Sequence, residues 1–157
     1  MDSSASLSSC RQYRYALRRK WAEGPQVLFV MLNPSRADET LDDPTIRRCI
    51  GFAKLWGFGS LCVGNLFALR TPSPGELMQH ASPIGHENDQ WLRTLQESAT
   101  LTVAAWGNNG RFQKRSASVS KLLTDPHTLG LTKLAEPRHP LYVHSATQPI
   151  KWNHQGI

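Results

Sequence analysis

At 157 residues, with 39% apolar and 19% charged side chains, the chain is long enough to bury a core as one domain and too apolar to be disordered. A formal net charge of +6 favours a polyanionic partner, nucleic acid or a phosphorylated ligand. Cys10, Cys49 and Cys62 have no C-x-x-C spacing, which argues against a disulfide frame or a zinc site and for reduced thiols in a cytoplasmic protein.

Residues 1–11 are polar, lack the apolar segment of a secretory signal, and are expected to fray. No stretch of the chain reaches membrane-spanning length. From Tyr13 to Trp21 the pattern has period two, which predicts a half-exposed strand. The turn Ala22-Glu23-Gly24-Pro25 would fold it back antiparallel beside the next segment at the sheet edge, with its arginines in solvent. That next segment, Val27 to Leu32, is a continuous apolar run and reads as a buried parallel strand. It stops at Asn33-Pro34, where the proline removes a ladder donor.

A polar loop follows, with Ser35, Arg36, Asp38, Glu39 and Asp42. Asp43-Pro44 then opens a helix that Gly57 closes, with Ile46, Cys49, Ile50, Ala53 and Trp56 on one face. Ser60 to Phe67 reads as a second buried strand, which makes a right-handed βαβ unit and places Asn65, like Asn33, near a carboxyl end. Ser73-Pro74-Gly75-Glu76 caps a short helix. A further helix over residues 85–98, a strand over 100–106, a helix over 114–123 and a short strand over 127–131 complete the pattern. Residues 143–157 read as an irregular tail. The expected fold is a single α/β domain over residues 1–157: a three-layer α/β/α sandwich with a central, mostly parallel four-stranded sheet and an antiparallel N-terminal edge strand.

In such sheets ligands bind outside the carboxyl ends of the strands, so the loops after Leu32, Phe67, Trp106 and Leu131 define the expected rim. Asn33 either closes its own turn or orients a water or a base edge. Asp43 is most simply a helix cap, which leaves Asp38 and Asp42 as a possible general base or cation site. No histidine stands at ligand spacing nearby, so no metal is expected. Gly107-Asn108-Asn109-Gly110 fits neither the P-loop nor the dinucleotide fingerprint. His139 leaves the last strand between Pro137 and Pro140, on the rim expected to carry the site. No G-x-S-x-G elbow is present.

Leu28-Phe29-Val30-Met31-Leu32-Asn33-Pro34-Ser35 and Arg138-His139-Pro140-Leu141 together resemble the uracil-DNA glycosylase superfamily. Its mismatch-specific branch has an apolar strand and then Gly-x-Asn-Pro-Gly, and most branches end with a His-Pro-Ser or Asn-Pro-Ser motif. A fuller string runs through Asn33-Pro34-Ser35, Ala37-Asp38, Asp42 to Cys49, Asn65-Leu66-Phe67-Ala68 and Pro137 to Tyr142. It resembles an uncharacterised bacterial domain-of-unknown-function family (number 1643) along nearly the whole chain. Met31 and Ser35 stand where the glycosylase loop has glycines, Leu141 stands where its last motif has serine, and the acidic residues 38–43 match nothing in it.

The glycosylase resemblance implies hydrolysis of an N-glycosidic bond on a nucleobase in nucleic acid or a nucleotide, DNA before RNA, without a cofactor. The resemblance makes Asn33 and His139 candidate catalytic residues, and the acidic loop, read on its own, adds Asp38. Ser35, Arg36, Asp42, Asn65, Asn108, Arg138 and Leu141 are candidates for binding, with the arginines on phosphates and Leu141 in the gap left by an extruded nucleotide. Two other readings are a non-enzymatic nucleic-acid-binding module of the same fold and a small-molecule hydrolase that uses the acidic loop.

Overall fold

The structure is a computed structural model, and it describes residues 1–153. Strands β1 (Asp2–Leu7), β2 (Arg14–Lys20), β3 (Gln26–Met31), β4 (Ser60–Asn65), β5 (Leu101–Ala104), β6 (His127–Thr128) and β7 (Ile150–Lys151) form one mixed sheet in the order β1-β2-β4-β3-β5-β6-β7. The four central strands β4, β3, β5 and β6 are parallel. Antiparallel strands flank them, β2 and β1 on one side and β7 on the other. The sheet is therefore larger than the expected four strands and one edge.

Two expectations for the N-terminal part are corrected. β2 pairs with β4 and not with β3, and it is not an edge, because residues 2–7 do not fray but pair along it from Asp2↔Lys20 to Leu7↔Arg14. Ladder bonds belong to the backbone, so the serine-rich β1 pairs without an apolar face. Its polar side chains suit an outermost strand.

Helix α1 (Pro44–Leu55) starts where the sequence places it. The Asp43 carboxylate accepts from the Ile46 N–H at 2.9 Å, and Pro44 takes the first turn. The helix buries Ile46, Cys49, Ile50, Phe52 and Ala53, which pack with Leu17, Val27, Phe29, Met31, Leu61 and Val63 on one face of the sheet. Ala16, Leu28, Val30 and Cys62 face the other way, onto Leu77 of α2 (Pro74–Gln79), Leu92 and Leu95 of α3 (Asn88–Glu97) and Val119 of α4 (Arg115–Ser120). Alternation along β3 and β4 thus feeds two cores from the same strands.

The expected helix over 114–123 is shorter and starts differently. A 3₁₀ turn spans Asn108–Lys114, and Gln113 and Lys114 both take left-handed backbone (φ 53° and 55°) before α4 begins. β6 has two residues and not five. Among the described residues, no helix is long and apolar enough to cross a membrane.

Candidate functional site

Because β3, β4, β5 and β6 are parallel, their carboxyl ends share one rim. Antiparallel β2 brings its first residue, Arg14, to the same rim. There the loops enclose a cavity of about 570 Å³. Of the residues predicted from sequence, Asn33, Ser35, Asn65, Asn108, Arg138, His139 and Leu141 all line it. Asp38, Asp42 and Arg36 do not. Arg14, Asp43, Thr71, Trp106 and Tyr142 line it as well, and sequence reasoning had not placed them there.

Asn33 ties down its own turn, the first of the two roles the sequence left open. Its Nδ2 donates to the carbonyls of Thr71 (2.8 Å), Pro34 (3.0 Å) and Leu69 (3.2 Å), so the end of β3 is bound to the loop after β4. Three carbonyl acceptors fix which end of the amide carries the hydrogens. Oδ1 has no donor among the described residues, and Asn33 lines the cavity.

Asn65 is the less expected group. It is 1% exposed, and neither its Oδ1 nor its Nδ2 has a partner among the described residues. A buried amide left wholly unpaired costs about 1–3 kcal/mol per group. Its main chain, by contrast, is secured: the Asn65 and Leu66 carbonyls accept from Nδ2 of buried Asn88 at 2.8 and 3.1 Å. Asn65 thus lines the cavity with a donor and an acceptor that are buried and unpaired among the described residues.

Arg14, 2% exposed, donates from Nη1 to the Ala37 carbonyl at 3.0 Å, and its Nε has no partner among the described residues. No carboxylate forms an ion pair with it among the described residues. Burial pulls its guanidinium down to about 10, against the opposing charge of Asp43, so it is cationic at neutral pH. The cavity therefore has a fixed positive charge that the protein balances only at a distance.

His139 sits on the loop that closes into the 3₁₀ turn Pro140–Tyr142. Its Nδ1 accepts from the Leu141 N–H at 3.1 Å. That bond requires an unprotonated Nδ1, so the neutral ring carries its proton on Nε2. Burial lowers the pKa of His139 below the usual histidine value, and Asp43 only partly offsets this. The loop is held from two sides: Arg48 of α1 donates from Nε to the Pro140 carbonyl at 3.3 Å and from Nη2 to the Val143 carbonyl, and Gly107 donates its N–H to the Pro137 carbonyl at 2.7 Å.

The acidic loop has another role. Arg19, 1% exposed, donates to the Asp42 carboxylate at 2.8 Å and to the carbonyls of Asp38 (2.6 Å) and Leu41 (3.1 Å). The Asp38 carboxylate accepts from the N–H groups of Thr40 (2.9 Å) and Leu41 (2.8 Å), and these bonds hold its pKa below the usual carboxylate range. Asp38 and Asp42 shape a loop around a buried guanidinium. Among the described residues, no group of three or more His, Cys, Asp or Glu side chains is placed to hold a metal ion.

No curated protein and no solved structure matches the chain. A family model described as Protein of unknown function (DUF1643) matches residues 14–141, a span that runs from Arg14 on one wall of the cavity to Leu141 at its mouth. The chain belongs to this family of proteins of unknown function.

Proposed function

We propose that the cavity receives a nucleobase of a nucleic acid or nucleotide and that the protein hydrolyses its N-glycosidic bond. This reading takes the chain as a relative of the uracil-DNA glycosylase superfamily, through the Asn33-Pro34 and His139-Pro140 motifs, and sets it in the reducing cytoplasm. The observation that carries it is the unpaired, buried amide of Asn65. A neutral donor–acceptor pair on a cavity wall complements the hydrogen-bonding edge of a base.

The remaining groups suit the charge that such a reaction develops. As the C1′–N bond breaks, its electron pair leaves on the base and the sugar gains oxocarbenium character. The neutral ring of His139 donates from Nε2 toward the base oxygen on which negative charge collects. The buried cation of Arg14 adds a field of the right sign in a site of low dielectric. Asn33 Oδ1 accepts from a water that adds to C1′, and the released proton passes to solvent. Leu141, 42% exposed at the mouth, is an apolar side chain suited to fill the gap of an extruded nucleotide.

A second reading, a binding module without chemistry, is favoured by one observation. The carboxylate that lines the cavity, Asp43, already accepts from Ile46 N–H at 2.9 Å and Ala37 N–H at 3.4 Å, so no carboxylate there is free to act as a strong base. The acidic loop supports no hydrolase reading, since its carboxylates are engaged outside the cavity.

One assay decides between the two. Oligonucleotides that each hold one modified or mismatched base are incubated with the protein and probed for abasic sites by alkaline cleavage. Glycosylase action predicts strand breaks that Asn33→Ala, Asn65→Leu and His139→Ala abolish. Binding without breaks on every substrate overturns hydrolysis in favour of the module.

A further inference from the structure

Beside the cavity, and sharing Ser35 and Thr71 with it, lies a second, more open trough of about 850 Å³. Arg11, Arg36 and Arg70 line it. These three cations come from segments far apart in the sequence: the turn before β2, the loop after β3 and the loop after β4. We propose that this trough seats the phosphodiester next to the nucleotide whose base enters the cavity, so that the preferred ligand is a single strand and not a free nucleotide. The proposal rests on the reading of the cavity as a base pocket.

The charge balance of the trough sets the class of anion. Arg11 is neutralised by Glu39, with Nη2 2.9 and 3.2 Å from its two oxygens. Arg70 lies in the field of Asp38, and the Glu76 carboxylate shares the trough. Arg36 has no hydrogen bond and no counter-ion among the described residues. One uncompensated guanidinium matches the single charge of a phosphodiester, and a nucleoside triphosphate would bring several charges to it.

Two features of the trough concern its arginines. The Nε of Arg70 is buried with no partner among the described residues, while its Nη1 donates to the Arg11 carbonyl at 3.2 Å. Arg11 takes left-handed backbone (φ 60°) in the turn that joins β1 to β2, where its N–H donates to the Ser8 carbonyl at 2.9 Å. The bond to the Arg11 carbonyl fixes Arg70 at the trough wall and leaves its Nη2 without a partner among the described residues, a donor left over for an anion. The shared wall makes the trough and cavity neighbouring subsites of one ligand.

The test is fluorescence anisotropy of the full chain with a labelled single-stranded oligonucleotide, as DNA and as RNA of the same sequence, across a series of salt concentrations. Arg36→Gln is expected to weaken binding roughly three- to tenfold and to reduce the slope of log affinity against log salt by about 0.7, the value for one lost contact to a single strand. Arg36→Lys keeps the charge and should keep most of the slope. Arg93→Gln, which removes the same charge from the exposed side of α3, should change neither.

Equal losses in Arg36→Gln and Arg93→Gln would mean diffuse attraction and overturn the proposal. So would a nucleoside monophosphate that binds with the Arg36 dependence while the oligonucleotide does not bind. Abasic-site formation indifferent to Arg36 sinks the trough and leaves the glycosylase reading standing. An Arg36-dependent salt slope without base excision does the reverse.

Discussion

Nε of Arg48 donates to the Pro140 carbonyl at 3.3 Å, so the helix that packs on one face of the sheet also holds the loop that carries His139. The same guanidinium reaches the Val143 carbonyl and lies 5.4 Å from the centre of the Phe52 ring. Arg48→Ala should therefore destabilise the fold by about 1–3 kcal/mol, the range for hydrogen bonds to a charged donor. It should also weaken oligonucleotide binding without touching the cavity wall. Urea unfolding and anisotropy on the same preparation check both effects, and a variant as stable and as tight as the wild type would remove the tether from the account.

Asn65 should separate stability from binding. Leucine has the same branching and the same number of side-chain heavy atoms, is somewhat bulkier, and removes two polar atoms that have no partner among the described residues. Asn65→Leu is expected to melt no lower than the wild type, or above it, and to lose ligand binding. A fall in melting temperature of several degrees would show that the amide is satisfied within the protein, and the base-reading role would lose its main support.

The His139 ring gives the stability a defined response to pH. Its folded-state pKa is lowered by burial, so between that value and the unfolded one, about 6.5, the unfolded chain binds the proton and the native chain does not. Stability then rises with pH: the contribution is complete above about pH 6.5 and is lost as pH falls through the folded pKa. Protonation at Nδ1 also removes the acceptor for the Leu141 N–H. The urea midpoint should fall between pH 7.5 and pH 5 in the wild type and fall less in His139→Gln. Parallel curves for the two proteins would contradict this.

Arg19 and Asp42 should differ in the size of their effects. Arg19→Met strips the loop of its central, buried donor and takes from the Asp38 carbonyl its side-chain partner, while the Leu41 carbonyl keeps only the Asp38 N–H, which is expected to cost about 3–5 kcal/mol. Asp42→Ala removes the counter-ion but leaves the guanidinium donating to the carbonyls of Ser4, Arg18, Asp38 and Leu41, so it should cost only about 1–2 kcal/mol. Limited proteolysis within residues 36–42 should accelerate in both, and more in Arg19→Met. The reverse order would mean that the carboxylate and not the guanidinium organises the loop.

Much of the rim was legible because it is local. Asp43-Pro44 announces α1, and a strand, a helix and a strand in succession place Asn33 and Asn65 at neighbouring carboxyl ends. The two prolines around His139 marked a stiff loop on the same rim. What stayed hidden depends on partners far along the chain. Arg14 and Arg19 read as solvated because their cover is β1, a strand with hardly an apolar side chain, and because their acceptors are carbonyls in residues 37–41. Asp38 read as free because a backbone N–H leaves no mark in a sequence. The position of Arg14 was recoverable in principle: an antiparallel neighbour of a parallel sheet must start where the others end.

The triple donation from Asn33 settles how the mouth of the cavity behaves before anything arrives. One side-chain amide welds the tip of a central strand to the crossing loop at Leu69 and Thr71, so this part of the opening has little freedom left to lose on association. Discrimination between guests then falls on fit against a preformed frame, and a guest one ring too large meets a wall and not a hinge.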